Sequence, residues 1–148
     1  MDAADLIGQS TKLEAEVTQL LLKMVEQDSS TRFFGFKILE ARPGFCKMIV
    51  TITPQMTNAV GVAHGGICFS LADSCCGIAI NLHGRKCVST ETTISQFKPA
   101  YPGQAITAHC KEEFLGDKIA VYTAEIFGPD NTRIAMFKGS YYRSSKAW

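Results

Sequence analysis

Two stretches of the chain carry helical spacing of apolar residues, and most of the rest alternates with period two. In residues 11–28, Leu13, Val17, Leu20, Leu21 and Met24 recur at helical spacing. Lys12, Glu14, Glu16, Lys23 and Glu26 lie mostly opposite, so the spacing predicts a surface helix that caps the core or a neighbouring subunit. Its polar face is not basic, which argues against a helix lying on a membrane. Residues 65–82 differ. Ile67, Cys68, Phe69, Leu71, Ala72, Cys75, Cys76, Ile78, Ala79, Ile80 and Leu82 leave no polar side, and a helix that is apolar all round is buried all round.

Between and after these helices the pattern is that of strands. Phe34, Phe36 and Ile38 alternate with Gly35, Lys37 and Leu39. Pro43-Gly44 is a turn pair, residues 45–53 are β-branched, and Pro54 ends the resulting hairpin. Residues 87–97, 104–115, 118–127 and 132–143 alternate again. Residues 98–103 form a loop, Gly116-Asp117 a two-residue turn and residues 128–131 another turn. One buried helix and about six antiparallel strands imply an α+β fold in which a curved sheet wraps around the helix. No internal repeat or linker divides the chain. Residues 1–32 are expected to form a helical extension and residues 33–148 a single domain.

Composition narrows the function classes. A chain of 148 residues suits one core, and 46% hydrophobic residues exclude a disordered chain. Fifteen Lys+Arg against 14 Asp+Glu argue against nonspecific nucleic-acid binding. His64, Ser70, Asp73, Ser74 and Asn81 interrupt residues 60–82, so no membrane span is expected there. Asp2 and Asp5 stand where a secretion signal is basic, and the first arginine is Arg32. A cytoplasmic protein is the expectation, with the mitochondrion as the other compartment in view. The six cysteines form no C-x-x-C pair and read as buried thiols. His83 and Cys87 have ligand-like spacing but lack a second pair, so no metal site is expected. A cysteine nucleophile would need His64 as its base, and Cys75-Cys76 reads more simply as core.

The distribution of charge points to chemistry. Residues 54–84 are 31 positions with one charged side chain, Asp73, where the chain average of 20% would give about six. Burying an unpaired carboxylate costs several kcal/mol. Two explanations stay open. Asp73 accepts hydrogen bonds from neighbours such as Ser70 or Ser74 or pairs with a distant cation, or it is a catalytic carboxylate whose proton affinity burial has tuned. At the start of the same helix, His64-Gly65-Gly66 sits where backbone N–H groups are unpaired and the dipole favours negative charge. Glycine allows a ligand close to that backbone, so an anion or a developing oxyanion can bind there. The plainer reading of two glycines is a tight turn.

Taken together, these residues resemble a known family. Asn58, His64-Gly65-Gly66 and Asp73 stand in the pattern N-x5-HGG-x6-D. With residues 67–73 (ICFSLAD) and 88–106 (VSTETTISQFKPAYPGQAI), the pattern resembles hotdog-fold acyl-CoA thioesterases of the PaaI-like branch, which includes the thioesterase superfamily member 2 type. The likeness covers residues 33–143. It implies a hotdog fold and hydrolysis of an acyl-CoA to free acid and CoA, as in fatty acid metabolism. It also implies no metal or organic cofactor, and a homodimer or homotetramer with active sites between subunits. Spacing supports the shared site independently. Gly65 and Asp73 are eight residues apart, or about 12 Å along one helix, so one carbonyl cannot touch both. A two-fold dimer supplies Asp73 from the other chain.

The resemblance also assigns roles. The Gly65 N–H would hold the thioester oxygen, and Asp73 would activate water or attack the carbonyl. Ser89 would orient water or the carboxylate, and Asn58 and His64 would position the thioester, with Gly66 alongside as a substrate contact. Arg85, Lys86 and Lys98 lie near element ends and are candidates for the CoA phosphates. Phe33, Phe34, Phe36 and Met56 line an acyl tunnel or pack in the core. The rival readings are an acyl-CoA-binding hotdog module without turnover and a hotdog dehydratase or hydratase. The presence of Asp73, nine residues after His64, favours the thioesterase.

Overall fold

The computed structural model describes residues 15–148. Helix α1 (Ala15–Gln27) buries Leu21, Met24 and Val25. The first four residues of the expected helix, 11–14, lie outside the described residues. A second short helix, α2 (Ser29–Phe34), follows at once and replaces the expected start of a strand at Phe34. It also runs across the expected domain boundary at residue 32. Local capping decides this. Asp28 Oδ1 accepts from the N–H groups of Ser30 (3.0 Å) and Thr31 (3.1 Å). Gly35, with φ 70°, closes the helix by donating its N–H to the carbonyls of Arg32 and Thr31. The aromatic alternation of residues 34–36 is therefore split between a helix end and the chain entering the sheet.

Six strands follow: β1 (Lys37–Arg42), β2 (Phe45–Thr51), β3 (Arg85–Gln96), β4 (Ala105–Leu115), β5 (Ile119–Phe127) and β6 (Arg133–Ala147). They form one antiparallel sheet in the order β1-β2-β4-β5-β6-β3. Helix α3 (Gly65–Asn81) packs against all six strands, as the apolar pattern of residues 65–82 requires. Alternate residues of the strands meet it: Cys46, Met48 and Val50 from β2, Ile106, Ala108 and Cys110 from β4, and Ala120, Tyr122, Ala124 and Ile126 from β5. All six cysteines are buried and unbridged.

Three expectations shift in detail. The Gly116 N–H bonds the Ile119 carbonyl (2.9 Å), so the tight turn is Asp117-Lys118, one residue later than the glycine suggests. Strand β6 continues to Ala147 because β3 starts at Arg85 and pairs with it. Arg85 fastens that end, donating from Nε to Ser144 O (2.7 Å) and from Nη2 to Arg143 O (3.0 Å). Finally, α3 is not covered on every side by its own chain. Gly66, Ser70, Asp73, Ser74 and Gly77 form a half-buried stripe along it. Small residues mark this stripe, so it lacks the large polar side chains that reveal a solvent face in a sequence.

The C-terminal end of α3 is held by Asn81, which is buried. Its Nδ2 donates to Gly77 O (2.8 Å) and Cys87 O (3.2 Å), while its Oδ1 accepts from Cys87 N–H (2.9 Å) and Trp148 Nε1 (2.8 Å). Asn81→Ala leaves several of these groups without partners in a dry site. It is expected to lower the unfolding free energy by about 3 kcal/mol in urea denaturation at constant m-value.

Candidate active site

The loop entering α3 is built by its own polar side chains. Asn58 Oδ1 accepts from the Val60 N–H (2.9 Å), and the Asn58 N–H donates to Val62 O (2.9 Å). His64 is the N-cap of α3. Its Nδ1 accepts from the Gly66 N–H (2.9 Å), and its carbonyl accepts from the Ile67 N–H (2.9 Å). An acceptor role for Nδ1 puts the proton of the neutral ring on Nε2. With the Gly66 and Ile67 N–H groups used in this way, the Gly65 N–H is left without a partner among the described residues. It opens into a cleft of ≈ 370 Å³ lined also by Asn58, Cys68, Gln96 and Lys98. Because Oδ1 of Asn58 is taken by the loop, Nδ2 is the group that Asn58 offers to a ligand.

Gln96 is a neighbour of Gly65 that the sequence pattern did not single out. A Cβ added at Gly65 would collide with Gln96 Nε2, so glycine at this position is what lets the β3 amide approach the start of the helix. The cleft thus collects N–H donors at the positive end of α3, which suits an oxyanion. The sequence carries no mark of Gln96, since its place follows from the register of β3, where it stands opposite Ala135.

Asp73 lies two turns further along α3 and opens into a different cleft, of ≈ 350 Å³. That cleft is also lined by Ser74, Gly77, Ser89, Tyr141 and Trp148, with Met24 and Gln27 from α1 and Asp28 before α2. Burial raises the Asp73 pKa above its ordinary value, and a hydrogen bond from Tyr141 OH to Oδ1 (3.2 Å) partly opposes the rise. Neither Ser70 nor Ser74 is a described hydrogen-bond donor to it. Ser89 pairs with Tyr141 across β3 and β6, next to a register shift between Ser89 and Glu91.

The remaining candidates separate. His64 and Gly66 line a third cleft with Phe34, Met56 and Ser70, whereas Phe36 is fully buried core and Phe33 is 83% exposed. Lys98 stands at the Gly65 cleft. Lys86 Nζ lies 5.3 Å from the centroid of the Trp148 ring. Arg85 spends three of its five donors on the strand ends and on Asp117 (3.1 Å). His83 Nε2 bonds Glu112 Oε2 (2.7 Å), not Cys87. Burial drives the Cys75 and Cys76 thiols well above their ordinary pKa and Cys68 up to about 11, so none is a thiolate nucleophile. No described helix is long and apolar enough to cross a membrane.

Comparison with known proteins supplies the family context. Residues 60–135 match the thioesterase superfamily. A putative esterase of Archaeoglobus fulgidus is 38% identical over 120 residues, 81% of this chain and 78% of that protein. The acyl-coenzyme A thioesterase PaaI of Escherichia coli K12 is 32% identical over 120 residues, 81% of this chain and 86% of that protein. The solved structure of E. coli PaaI superposes with a TM-score of 0.86 at 30% identity, covering 89% of this chain and 96% of that one. A mutant of the phenylacetic acid degradation protein PaaI from Thermus thermophilus superposes with a TM-score of 0.76 at 27% identity, covering 79% and 100%. These are hotdog folds, with the same curved sheet around one long helix.

The raised proton affinity of Asp73 has a consequence for stability. The folded chain holds this proton more tightly than the unfolded chain, so the ionised carboxylate opposes folding at any pH above its raised pKa. The penalty disappears below the ordinary value of 3.8. Asp73→Asn is therefore expected to unfold at higher urea concentration than wild type at pH 7. The difference should shrink as the pH falls through the raised pKa towards 3.8.

Proposed function

The chain belongs to the thioesterase superfamily, as a PaaI-like hotdog thioesterase, and from that premise we propose that it hydrolyses an acyl-CoA to free acid and CoA at a site shared between two copies. The observation that carries the proposal is the separation along α3. The unpartnered Gly65 N–H and the half-buried Asp73 carboxylate stand eight residues apart and open into different clefts of the same chain. A single carbonyl reaches both only if a second α3 runs antiparallel beside the first, across the stripe of Gly66, Ser70, Asp73, Ser74 and Gly77. Strand β3 supports the pairing. It is the end strand of the sheet, 12 residues long, and most of it is exposed, with Val88 64% exposed. The dimer is the smallest active unit in this proposal, and a homotetramer is two such dimers.

In this site the thioester oxygen accepts from the Gly65 N–H, with Asn58 Nδ2 beside it, as negative charge develops. Asp73 of the second copy either takes the proton of the attacking water or attacks the carbonyl carbon itself. In the first route the C–S bond breaks as Asp73 hands the water's proton to the departing sulfur. In the second it breaks as the carboxylate forms a mixed anhydride and the CoA thiolate takes a proton from water. A second water then hydrolyses the anhydride to the free acid and the restored carboxylate. Ser89, on the wall beside Asp73, orients the water. Lys98, at the mouth of the Gly65 cleft, meets the CoA phosphates.

The test uses a panel of aliphatic and aryl acyl-CoAs with a thiol reagent. Asp73→Asn is expected to lose about a thousandfold in kcat while remaining folded and oligomeric. Gly65→Ala is expected to be inactive too, since its methyl group enters the donor cleft. Co-refolding the two inactive variants separates a shared site from one within a chain. A mixed dimer contains one site with wild-type Gly65 and wild-type Asp73, so statistical mixing restores about a quarter of wild-type activity. No recovery, or a fully active monomer in sedimentation, contradicts the shared site.

A further inference from the structure

We propose that Tyr141 is the positioning residue for Asp73, fixing one carboxylate oxygen and favouring the ionised form, so that Oδ2 is the oxygen that acts on substrate or water. This rests on the reading of Asp73 as the base or nucleophile. The Tyr141 OH donates to Asp73 Oδ1 (3.2 Å), and Oδ2 has no partner among the described residues. Among the described residues, no ion pair includes Asp73. A neutral donor therefore does the work that a cation does for most half-buried carboxylates.

The surroundings of Tyr141 are built to hold its ring. The side chain is 2% exposed. It lies over Gly139, where an added Cβ would stand 2.8 Å from Tyr141 Cε2 and 3.0 Å from its hydroxyl oxygen. The absence of a side chain at Gly139 is what allows the ring to reach α3. On its other flank the ring meets Tyr122 edge-on, with centroids 5.8 Å apart and planes at 81°. Tyr122 is itself anchored, because its hydroxyl donates to Glu112 Oε2, which also bonds His83. Tyr141 therefore has little freedom to turn its hydroxyl away.

Its proton is secure as well. Burial, and then the neighbouring Cys76 and Asp73, push the Tyr141 phenol far above its ordinary pKa, so it remains a donor at every working pH. The titratable groups facing this pair are Cys76 on the same helix, Cys110 and Glu112 from β4, and Tyr122 from β5, with Asp28 across the cleft. None of them is a cation. Removing the phenol hydroxyl leaves burial acting unopposed, which raises the pH at which Asp73 becomes ionised.

The experiment is the pH dependence of kcat/KM for thiol release by wild type, Tyr141→Phe, Gly139→Ala and Asp73→Asn, each checked for assembly by sedimentation. Tyr141→Phe keeps the ring and loses the hydroxyl. Its acidic limb is expected to move up by about one pH unit, with a lower plateau kcat and KM within about twofold of wild type. Gly139→Ala displaces the ring and is expected to move the limb in the same direction, which keeps the test decisive if Tyr141→Phe does not assemble. Tyr141→Phe added to Asp73→Asn is expected to cause no further loss. An unmoved acidic limb in an assembled variant, with Asp73→Asn inactive, overturns the role of Tyr141 and leaves Asp73 standing. Full activity in Asp73→Asn overturns the reading of Asp73 itself.

Discussion

Helix α3 carries more apolar surface than a helix can show to water, and the fold is arranged around hiding it. Leu71, Ala72, Cys75, Cys76, Ala79 and Ile80 are fully buried against strands from both ends of the sheet. Each large apolar side chain hidden in this way contributes about 1.5–3 kcal/mol, so the sheet has to curve to reach three sides of the helix. The fourth side is left to Gly66, Ser70, Asp73, Ser74 and Gly77. Because these side chains are small, another helix can approach closely, since interaxial distance follows the size of the residues at the contact. The requirement to bury α3 thus leaves one stripe open, and the carboxylate lies in the middle of it.

The two ends of the proposed chemistry have opposite electrostatic needs. Gly65 sits at the positive end of α3, where an oxyanion is stabilised. Asp73 is beyond the first turn, where the dipole of its own helix has faded. Within one chain its environment is set by burial, which favours the protonated acid, and by Tyr141, which favours the anion. On the proposed two-fold arrangement, Asp73 would also face the N-terminal end of the other α3. Assembly would then favour the ionised carboxylate in the place where it is needed and only when the oxyanion donors are present.

The sequence showed the two long helices and the strands because they follow from periodicity, which survives tertiary context in long elements, and it showed the charge desert through composition alone. It misplaced Phe34 because the Asp28 cap and Gly35 act over single residues and outweigh three alternating aromatics. It hid the open stripe of α3 because glycine and serine score neither as core nor as surface. At the candidate site, the motif singled out Asn58, His64, Gly65 and Asp73. It did not reveal Gln96 or Tyr141, which arrive from β3 and β6 by register and carry no local mark. Arg85 looked like a phosphate ligand from its position at a strand start. The structure shows Nε and one donor on each terminal nitrogen already in use, at the paired end of β6 and on Asp117.

Several candidate site residues give one atom to a contact within the chain and leave another for the proposed chemistry. Asn58 uses Oδ1 to close the loop and has Nδ2 left for a ligand. His64 uses Nδ1 to cap α3 and keeps Nε2. Asp73 gives Oδ1 to Tyr141 and keeps Oδ2. At Asn58 and His64 the bond that builds the backbone also aims the free atom, whereas Asp73 relies on a side chain from β6. It follows that alanine at Asn58 or His64 removes a structural bond together with the reactive group, and a loss of activity there does not identify the cause. Exchanges that keep the structural atom and alter only its partner, such as Asn58→Asp, preserve the loop acceptor while removing the donor. Variants of that kind separate what the residue does for the fold from what it does for the thioester.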